Sequence, residues 1–235
     1  MNRWKAIVFD LDDTLYPERE FVLSGFRAVA VWAEQNLGID SHIGEKELID
    51  YFESGIRGDT FNRWLASHNL LSDDRVERMI SVYRDNNPSI SPFPEVKKTL
   101  IELKKFFLLG IVTDGQLKMQ QRKLKALGIE AFFDALVFSD EWGQKAWKPS
   151  KKAFEVISYR LGIPPAQCIY VADNPLKDFL GAKRVGMFTI RIVRPNGEYS
   201  NCNPPSIEYK PDLTIKSFGE LLNVEFIGLS QSYKP

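Results

Sequence analysis

Three aspartates follow directly on a short apolar run near the start of the chain. The run Lys5–Asp10 is rich in β-branched and aromatic residues and predicts a buried strand, after which come Asp12 and Asp13. Charge at the end of a buried strand is costly unless it serves a purpose. One carboxylate can attack phosphorus and form an acyl phosphate, and a second can donate a proton to the leaving oxygen. Carboxylates grouped at this strand end are therefore candidates for chemistry of this kind.

Further polar residues stand where later predicted strands end and where one predicted helix begins. Ligands of open α/β sheets bind outside the carboxyl ends of the strands. We therefore expect these side chains to meet the aspartates in one site. They are Thr113, Asp114 and Gly115 after the second strand, Asp173, Asn174 and Asp178 after a later strand, and Lys148 before Pro149 at a helix start.

The elements that position these residues alternate between helix and strand in the second half of the chain. Such alternation predicts a parallel sheet that is covered by helices on both faces. The later strands are predicted at Phe107–Thr113, Ala135–Ser139, Ile169–Asp173, Met187–Ile192 and Asp212–Ile215, and the helices at Glu95–Lys105, Gln116–Leu127, Ser150–Leu161 and Leu176–Val185.

Four helical patterns separate the first strand from the others. In the first pattern, Val22, Phe26 and Val29 recur at helical spacing and give one apolar face. A stretch with three prolines ends the helical block. We therefore predict an inserted helical domain at residues 16–89 and an α/β core domain made of residues 1–15 and 90–235.

Composition and charge narrow the class of protein. Lys+Arg and Asp+Glu both number 31, which gives no electrostatic reason to expect nucleic acid or an anionic membrane as partner. Cys168 and Cys202 lack metal-ligand spacing, and two thiols are no disulfide framework. The stretch Phe106–Val112 is too short to span a bilayer, and the run before Asp10 is too short for a signal peptide. We expect a cytoplasmic protein.

The polar motifs, taken in order, resemble the four motifs of the haloacid dehalogenase (HAD) superfamily, in the phosphatase branch that carries a small helical C1-type cap. They are DxDDT from Asp10, TDG from Thr113, the Lys148-Pro149 pair and DNPxxD from Asp173. The resemblance covers nearly the whole chain, because the helical block stands where many members carry the cap. It implies a doubly wound, Rossmann-like α/β core and a Mg²⁺-dependent phosphatase that forms an aspartyl phosphate.

The resemblance also implies a role for each carboxylate. Asp10 is the nucleophile, and Asp12 is the acid–base residue. Mg²⁺ prefers oxygen ligands, and the metal ligands would be Asp10, Asp173 and the backbone carbonyl of Asp12. Asp178 or Asn174 would hold the metal-bound waters or orient Lys148.

Phosphate binding is assigned to the residues that can supply positive charge or hydrogen-bond donors. Lys148 is preferred over Lys145, Lys151 and Lys152 because it precedes Pro149, as in the family pattern. The basic run Lys118–Lys125 lies on a predicted helix, and we expect a solvated face there. The phosphate-binding groups are therefore Lys148, Thr113 and the backbone amides of Asp114 and Gly115.

Other functions are compatible with part of this pattern. A phosphomutase would use the same residues, whereas a 2-haloacid dehalogenase attacks carbon and, in the family pattern, lacks Asp12. A non-catalytic binding protein is disfavoured because no position of the machinery has been lost. The expected partner is a small phosphorylated metabolite, either a sugar phosphate or a nucleoside monophosphate. Specificity is expected from the helical block, where Arg57, Phe61 and Arg63 are candidates.

Overall fold

The computed structural model describes residues 3–222, which form one parallel sheet and eight α-helices. The strands are β1 (Ala6–Phe9), β2 (Leu108–Thr113), β3 (Ala135–Phe138), β4 (Cys168–Ala172), β5 (Phe188–Ile192) and β6 (Leu213–Ile215). The helices are α1 (Glu18–Leu37), α2 (Ser41–Glu53), α3 (Thr60–Ser67), α4 (Asp73–Asp85), α5 (Val96–Lys104), α6 (Leu117–Leu127), α7 (Lys152–Leu161) and α8 (Asp178–Val185).

Short 3₁₀ turns occupy several of the connections. They lie at Glu130–Phe132, Ser139–Trp142, Gln144–Ala146, Pro165–Gln167, Ile207–Tyr209 and Phe218–Leu222. The helices α7 and α8 begin two residues later than the sequence predicts, because Ser150 and Leu176 belong to the turns that precede them.

The sheet order is β3-β2-β1-β4-β5-β6, and every neighbouring pair is parallel. Phe9, at the end of β1, is in register with Ile111 of β2 on one side and Val171 of β4 on the other. The carboxyl ends of these three strands therefore lie side by side. The strand order reverses between β1 and β4, which is where ligands bind in doubly wound sheets. The prediction of a doubly wound parallel α/β sheet is confirmed.

The central strands are buried on both faces, as their continuous apolar sequences require. All residues of β1 and β4 are buried, and Tyr170 of β4 packs edge-on against Phe154 of α7 with ring centroids 4.8 Å apart. Gly110 of β2 lets α7 approach closely, because a Cβ there would stand 3.0 Å from the Ile157 side chain. This packing fixes the strand ends that carry the polar residues.

The chain divides into two compact units. One, called the sheet unit here, comprises the described residues up to Glu18 and those from Ser91 onward; the other, the helical unit, is Arg19–Ile90. The helical unit has its own apolar cluster, which includes Phe26 and the fully buried Trp64. None of the described helices is both long and apolar enough to cross a membrane. The role of the helical unit as a cap stays a prediction.

Candidate active site

Asp10 follows β1 at the centre of the sheet and continues its pairing with β4. Its backbone N–H donates to the carbonyl oxygen of Val171 over 2.9 Å. Asp173 follows the end of β4, and Asp178 is the first residue of α8. The carboxylate oxygens of Asp10, Asp173 and Asp178 approach within 4.8 Å of one another, and all three side chains are buried. The structure thus brings three predicted site residues into one acidic cluster.

Lys148 supplies a buried positive charge to this cluster. Its Nζ lies 2.5 Å from Asp10 Oδ1 and 2.8 Å from Asp178 Oδ1, and it donates to the Tyr170 hydroxyl over 3.2 Å. Burial opposes the charge, yet the carboxylates of Asp10 and Asp178 raise the pKa of Lys148 well above its usual value. The alternative lysines in the same region are all exposed: Lys145, Lys151 and Lys152. The geometry therefore favours Lys148 among the candidates.

One ammonium group does not balance three carboxylates. Burial raises the pKa of Asp10 to about 7, although Lys148 acts in the opposite direction. Burial, with the neighbouring charges of Asp178 and Asp10, raises the pKa of Asp173 well above its ordinary range. An all-oxygen donor set with excess negative charge fits a hard divalent cation. The residues present are therefore suited to such an ion, and the cluster includes the two predicted side-chain ligands, Asp10 and Asp173.

Asp178 and Asn174 are tied together at the start of α8. The backbone N–H of Asn174 donates to Asp178 Oδ2 over 2.9 Å, and the Asn174 side-chain oxygen accepts from the backbone of Leu176. Asp178 thus keeps its other oxygen for Lys148, which suits the predicted orienting role better than Asn174 does.

The Asp12 side chain is held apart from the acidic cluster by donors of its own. Lys123 Nζ donates to Asp12 Oδ1 over 2.7 Å, and Gln120 Nε2 donates to Asp12 Oδ2 over 2.8 Å. The Tyr16 hydroxyl also donates to Oδ1. Burial alone would raise the pKa of Asp12, but the charge and hydrogen bond of Lys123 outweigh it and lower the pKa below its usual value. The carboxylate is therefore ionised and fixed in orientation.

The buried position of Lys123 corrects the prediction of a solvated basic face on α6. Lys123 is only 2% exposed and Gln120 is fully buried, whereas Lys118 and Lys125 are exposed as expected. The helix follows the carboxyl end of β2, so one of its faces packs toward the site. The signal was present in the sequence, because the buried residues follow helical spacing: Gln120, Lys123, Leu124 and Leu127.

Thr113 and Gly115, at the end of β2, both lie against the Gln120 side chain, which contacts the Asp12 carboxylate. Thr113 Oγ1 accepts from Gln120 Nε2 over 2.6 Å. Gly115 has a φ of 114°, and a Cβ there would stand 3.3 Å from the Gln120 amide. Glycine therefore permits both the turn and the close approach of Gln120.

Asp114 contributes a side-chain role that the sequence did not indicate. Its carboxylate accepts from Ser139 Oγ over 2.6 Å and from the backbone N–H of Lys148 over 3.2 Å. Lys177, a second residue that the sequence analysis missed, lies 3.3 Å from the same carboxylate. Burial would raise the pKa of Asp114, but the nearby charges of Lys148 and Lys177 lower it. Asp114 thus anchors the loop that carries Lys148.

The specificity candidates of the helical unit have local partners. The Arg57 guanidinium stacks 3.7 Å from the Phe52 ring centroid, and Arg63 pairs with Asp59 over 2.7 Å. Phe61 packs edge-on against Phe26. Their proposed contact with a substrate stays a prediction.

Comparison with known proteins identifies the family of this chain. A family model described as haloacid dehalogenase-like hydrolase matches residues 7–192. A glyceraldehyde 3-phosphate phosphatase from Methanopyrus kandleri is 35% identical over 229 residues, covering 94% of this chain and 96% of the relative. A protein of the same name from Methanocaldococcus jannaschii is 33% identical over 235 residues, covering 94% and 96% of the two chains.

A solved structure supports the same assignment. The crystal structure of a HAD phosphatase from Thermococcus onnurineus has a TM-score of 0.60 and 27% sequence identity, and the match covers 93% of this chain and 96% of that one. These matches confirm the predicted superfamily. The chain belongs to the haloacid dehalogenase-like hydrolases.

Proposed function

We propose that this HAD phosphatase hydrolyses the monoester of a small phosphorylated metabolite, with Mg²⁺ as cofactor and through a phosphorylated Asp10. The observation that carries the proposal is the buried contact of Lys148 with both Asp10 and Asp178, within a cluster of three carboxylates. The names of the two archaeal relatives support a phosphorylated triose or a related sugar phosphate as substrate.

In the first step, an Asp10 carboxylate oxygen attacks phosphorus. The Asp10–phosphorus bond forms as the bond from phosphorus to the ester oxygen breaks. Asp12 passes a proton to the departing oxygen. Because Lys123 keeps Asp12 ionised in the free site, that proton is supplied by the monoanionic form of the ester. The Lys148 ammonium and the Thr113 hydroxyl stabilise the charge on the transferring oxygens.

In the second step, water replaces Asp10 on phosphorus. Asp12 accepts a proton from the attacking water, whose oxygen bonds to phosphorus as the Asp10–phosphorus bond breaks. Inorganic phosphate leaves, Asp10 regains its carboxylate, and Asp12 releases the proton to solvent and is again ionised. The three donors around Asp12 suit this base role, because they favour its ionised form.

The metal site is assigned to Asp10 and Asp173, with the backbone carbonyl of Asp12 as a further ligand and Asp178 beside them. When bound, Mg²⁺ would neutralise the repulsion between the Asp10 carboxylate and the phosphate and so make their approach possible. The raised pKa values of Asp10 and Asp173 support this assignment, because they mark a site with too much negative charge for its own cations.

The helical unit is proposed to act as the cap that limits which esters reach Asp10. Its insertion between β1 and β2, together with the family resemblance, supports this role. A cap that closes over the site would exclude water until the substrate is in place. The candidates Arg57, Phe61 and Arg63 are the residues to vary when a substrate is in hand.

Phosphate release tests the proposal. The panel is glyceraldehyde 3-phosphate, glycerol 3-phosphate, glucose 6-phosphate, AMP and p-nitrophenyl phosphate, each with Mg²⁺ and with EDTA. We expect turnover that needs Mg²⁺ and disappears in Asp10→Asn, while Asp74→Asn, an exposed control in α4, keeps wild-type activity. Metal-independent turnover that survives Asp10→Asn would overturn the mechanism. Conversion of a sugar bisphosphate to its isomer without net phosphate release would favour a mutase.

A further inference from the structure

Helix α6 connects two groups of the site that the motifs treat as independent. The Gln120 side-chain nitrogen lies 2.8 Å from Asp12 Oδ2 and 2.6 Å from Thr113 Oγ1. Asp12 and Thr113 stand on different strand ends and are 101 positions apart in the chain. One fully buried amide therefore spans the acid–base carboxylate and the phosphate-binding hydroxyl.

The orientation of this amide follows from its partners. An ionised carboxylate only accepts hydrogen bonds, so the Gln120 nitrogen and not its oxygen must face Asp12. The same nitrogen donates to Thr113 Oγ1, so the threonine hydrogen must point away from Gln120. Its contact with the Asp114 carbonyl is 3.4 Å, which is long for a hydroxyl donor. The Thr113 hydrogen is thus available to a phosphoryl oxygen.

The other oxygen of Asp12 is held from two directions. Lys123, one helical turn beyond Gln120, reaches Oδ1 over 2.7 Å, and the Tyr16 hydroxyl donates to the same oxygen. Lys123 is nearly as buried as Gln120. Both carboxylate oxygens therefore have donors on α6, and the side chain cannot rotate without breaking a buried hydrogen bond.

Gln120 has little other reason to be buried where it is. Its side-chain oxygen has no hydrogen-bond partner among the described residues. An unsatisfied buried acceptor costs free energy. Gly115 leaves the space for the amide, since a Cβ there would stand 3.3 Å from it. A packing role alone would be served better by an apolar side chain of the same length.

We propose that Gln120 and Lys123 are positioning residues that hold the Asp12 carboxylate at a fixed place relative to the Thr113 hydroxyl. This inference rests on the proposed function, because it takes Asp12 as the group that protonates the leaving oxygen. A carboxylate displaced by about 1 Å loses on the order of 10²-fold in rate. The loss matters only where the leaving oxygen needs a proton.

The choice of ester makes this role measurable. An alkyl phosphate releases a strongly basic alkoxide and depends on proton transfer, whereas p-nitrophenyl phosphate releases a weakly basic phenolate and does not. The comparison uses kcat/KM, which reports the steps up to leaving-group departure. Because the Gln120 amide also contacts the phosphate-binding Thr113 hydroxyl, some loss of kcat/KM on both esters is expected, but the loss should be larger for the alkyl ester.

The test uses Gln120→Met and Lys123→Met, which keep side-chain length and remove the donors. The alkyl ester used is the alkyl phosphate of the panel that the wild-type protein hydrolyses fastest. We expect kcat/KM to fall about 10²-fold on that ester and at least about tenfold less on p-nitrophenyl phosphate. Gln121 and Lys118 are exposed on the same helix, and Gln121→Met and Lys118→Met should leave kcat/KM unchanged on both esters. Thermal unfolding midpoints check that each variant is folded.

The outcomes separate the two proposals. Equal losses on both esters in the folded variants would mean that the helix merely supports the site, and would overturn the positioning role. If the wild-type protein hydrolyses none of the esters, or if activity survives Asp10→Asn, the proposed function itself is overturned. If one buried variant fails to fold, the other still decides, because Gln120 and Lys123 act on different oxygens of Asp12.

Discussion

The helical unit and the sheet unit both contain exposed ion pairs, but the sheet unit also contains buried ones. In the helical unit, Arg19 pairs with Glu53 over 2.6 Å, with the two side chains 53% and 52% exposed. In the sheet unit, Lys148 and Asp178 form their pair with both side chains fully buried. An exposed pair contributes about 0–1 kcal/mol to stability, whereas a buried pair must first offset the loss of hydration.

The interiors differ in the same way. The helical unit buries a cluster of aromatic rings, in which Phe26, Phe61 and Tyr83 lie with centroids 5.8–6.2 Å apart. The sheet unit has an apolar core beneath a group of buried carboxylates and ammonium groups at the strand ends. The comparison teaches that burying charged groups at the site lowers the stability of the sheet unit, whereas the helical unit has no such cost. Strained or charged active sites commonly show this trade.

The largest expected effect comes from removing the buried ammonium group. We expect Lys148→Met to lower kcat by about 10²–10³, because a charged donor to the transferring phosphoryl group is lost. The free energy of unfolding should fall by about 3–5 kcal/mol, since the acidic cluster is left without its partner. Steady-state kinetics and urea unfolding measure the two effects.

The control for this variant is Lys151→Met. Lys151 forms an exposed i,i+4 pair with Glu155 in the same region. Its loss should change the free energy of unfolding by less than about 0.5 kcal/mol. Equal effects of the two substitutions would remove the distinction between buried and exposed charge.

The next effect is a dependence of stability on pH in the metal-free protein. Burial raises the pKa of Asp10 to about 7 in the folded state, whereas an unfolded aspartate has a pKa of about 4. Between these values the folded state holds a proton that the unfolded state releases. The free energy of unfolding should therefore decrease as pH rises through this window. Mg²⁺ should flatten the slope, because it stabilises the ionised carboxylate.

Urea midpoints at several pH values, with EDTA and with Mg²⁺, measure this slope. Asp12 and Asp114 act in a different window, because their pKa values are lowered in the folded state: their stabilising contribution is complete above the unfolded value and is lost as the pH falls through the folded-state pKa. In EDTA, Asp10→Asn should make the free energy of unfolding decrease less steeply as the pH rises. A metal-free slope that is unchanged by this substitution would contradict the assignment of the slope to Asp10.

The strand ends of the sheet unit were predictable from sequence because the signals are local. The apolar run before Asp10 and the polar residues after Thr113 and Ala172 mark where each strand stops, and parallel pairing brings those ends together. The family pattern then predicted which lysine belongs to the site, namely Lys148. The same local patterns predicted the alternating helices to within a few residues.

What the sequence did not reveal depends on contacts between distant positions. Lys123 pairs with Asp12 across 111 positions, and a periodicity that counts lysine as polar assigns it to solvent. The Asp114 carboxylate meets the Lys148 backbone across 34 positions. The spacing of Leu124 and Leu127 indicates which face of α6 is buried, but the distant partners of Lys123 and Asp114 required the three-dimensional structure.

A steric change in the helical unit should have a smaller effect than the loss of Lys148. Gly25 of α1 packs against Tyr83, and a Cβ there would stand 2.4 Å from the ring. We expect Gly25→Ala to destabilise the helical unit by about 1–3 kcal/mol through overpacking. Hydrogen exchange should accelerate in α1 and α4 and stay unchanged in β1 and β4. Gly219→Ala, where a Cβ meets nothing within 4 Å, is the control.

The smallest effect is expected for the exposed pairs of the helical unit. Lys46 and Asp50 lie 3.3 Å apart on α2, with their side chains 79% and 63% exposed. Lys46→Met should change the free energy of unfolding by less than about 0.5 kcal/mol, and high salt should erase even that difference, because exposed charges are screened. Urea unfolding at low and high salt measures both effects. A salt-insensitive loss above about 1 kcal/mol would show that this surface pair stabilises the helical unit as a buried pair would, and the contrast between the two units would then rest on their apolar packing alone.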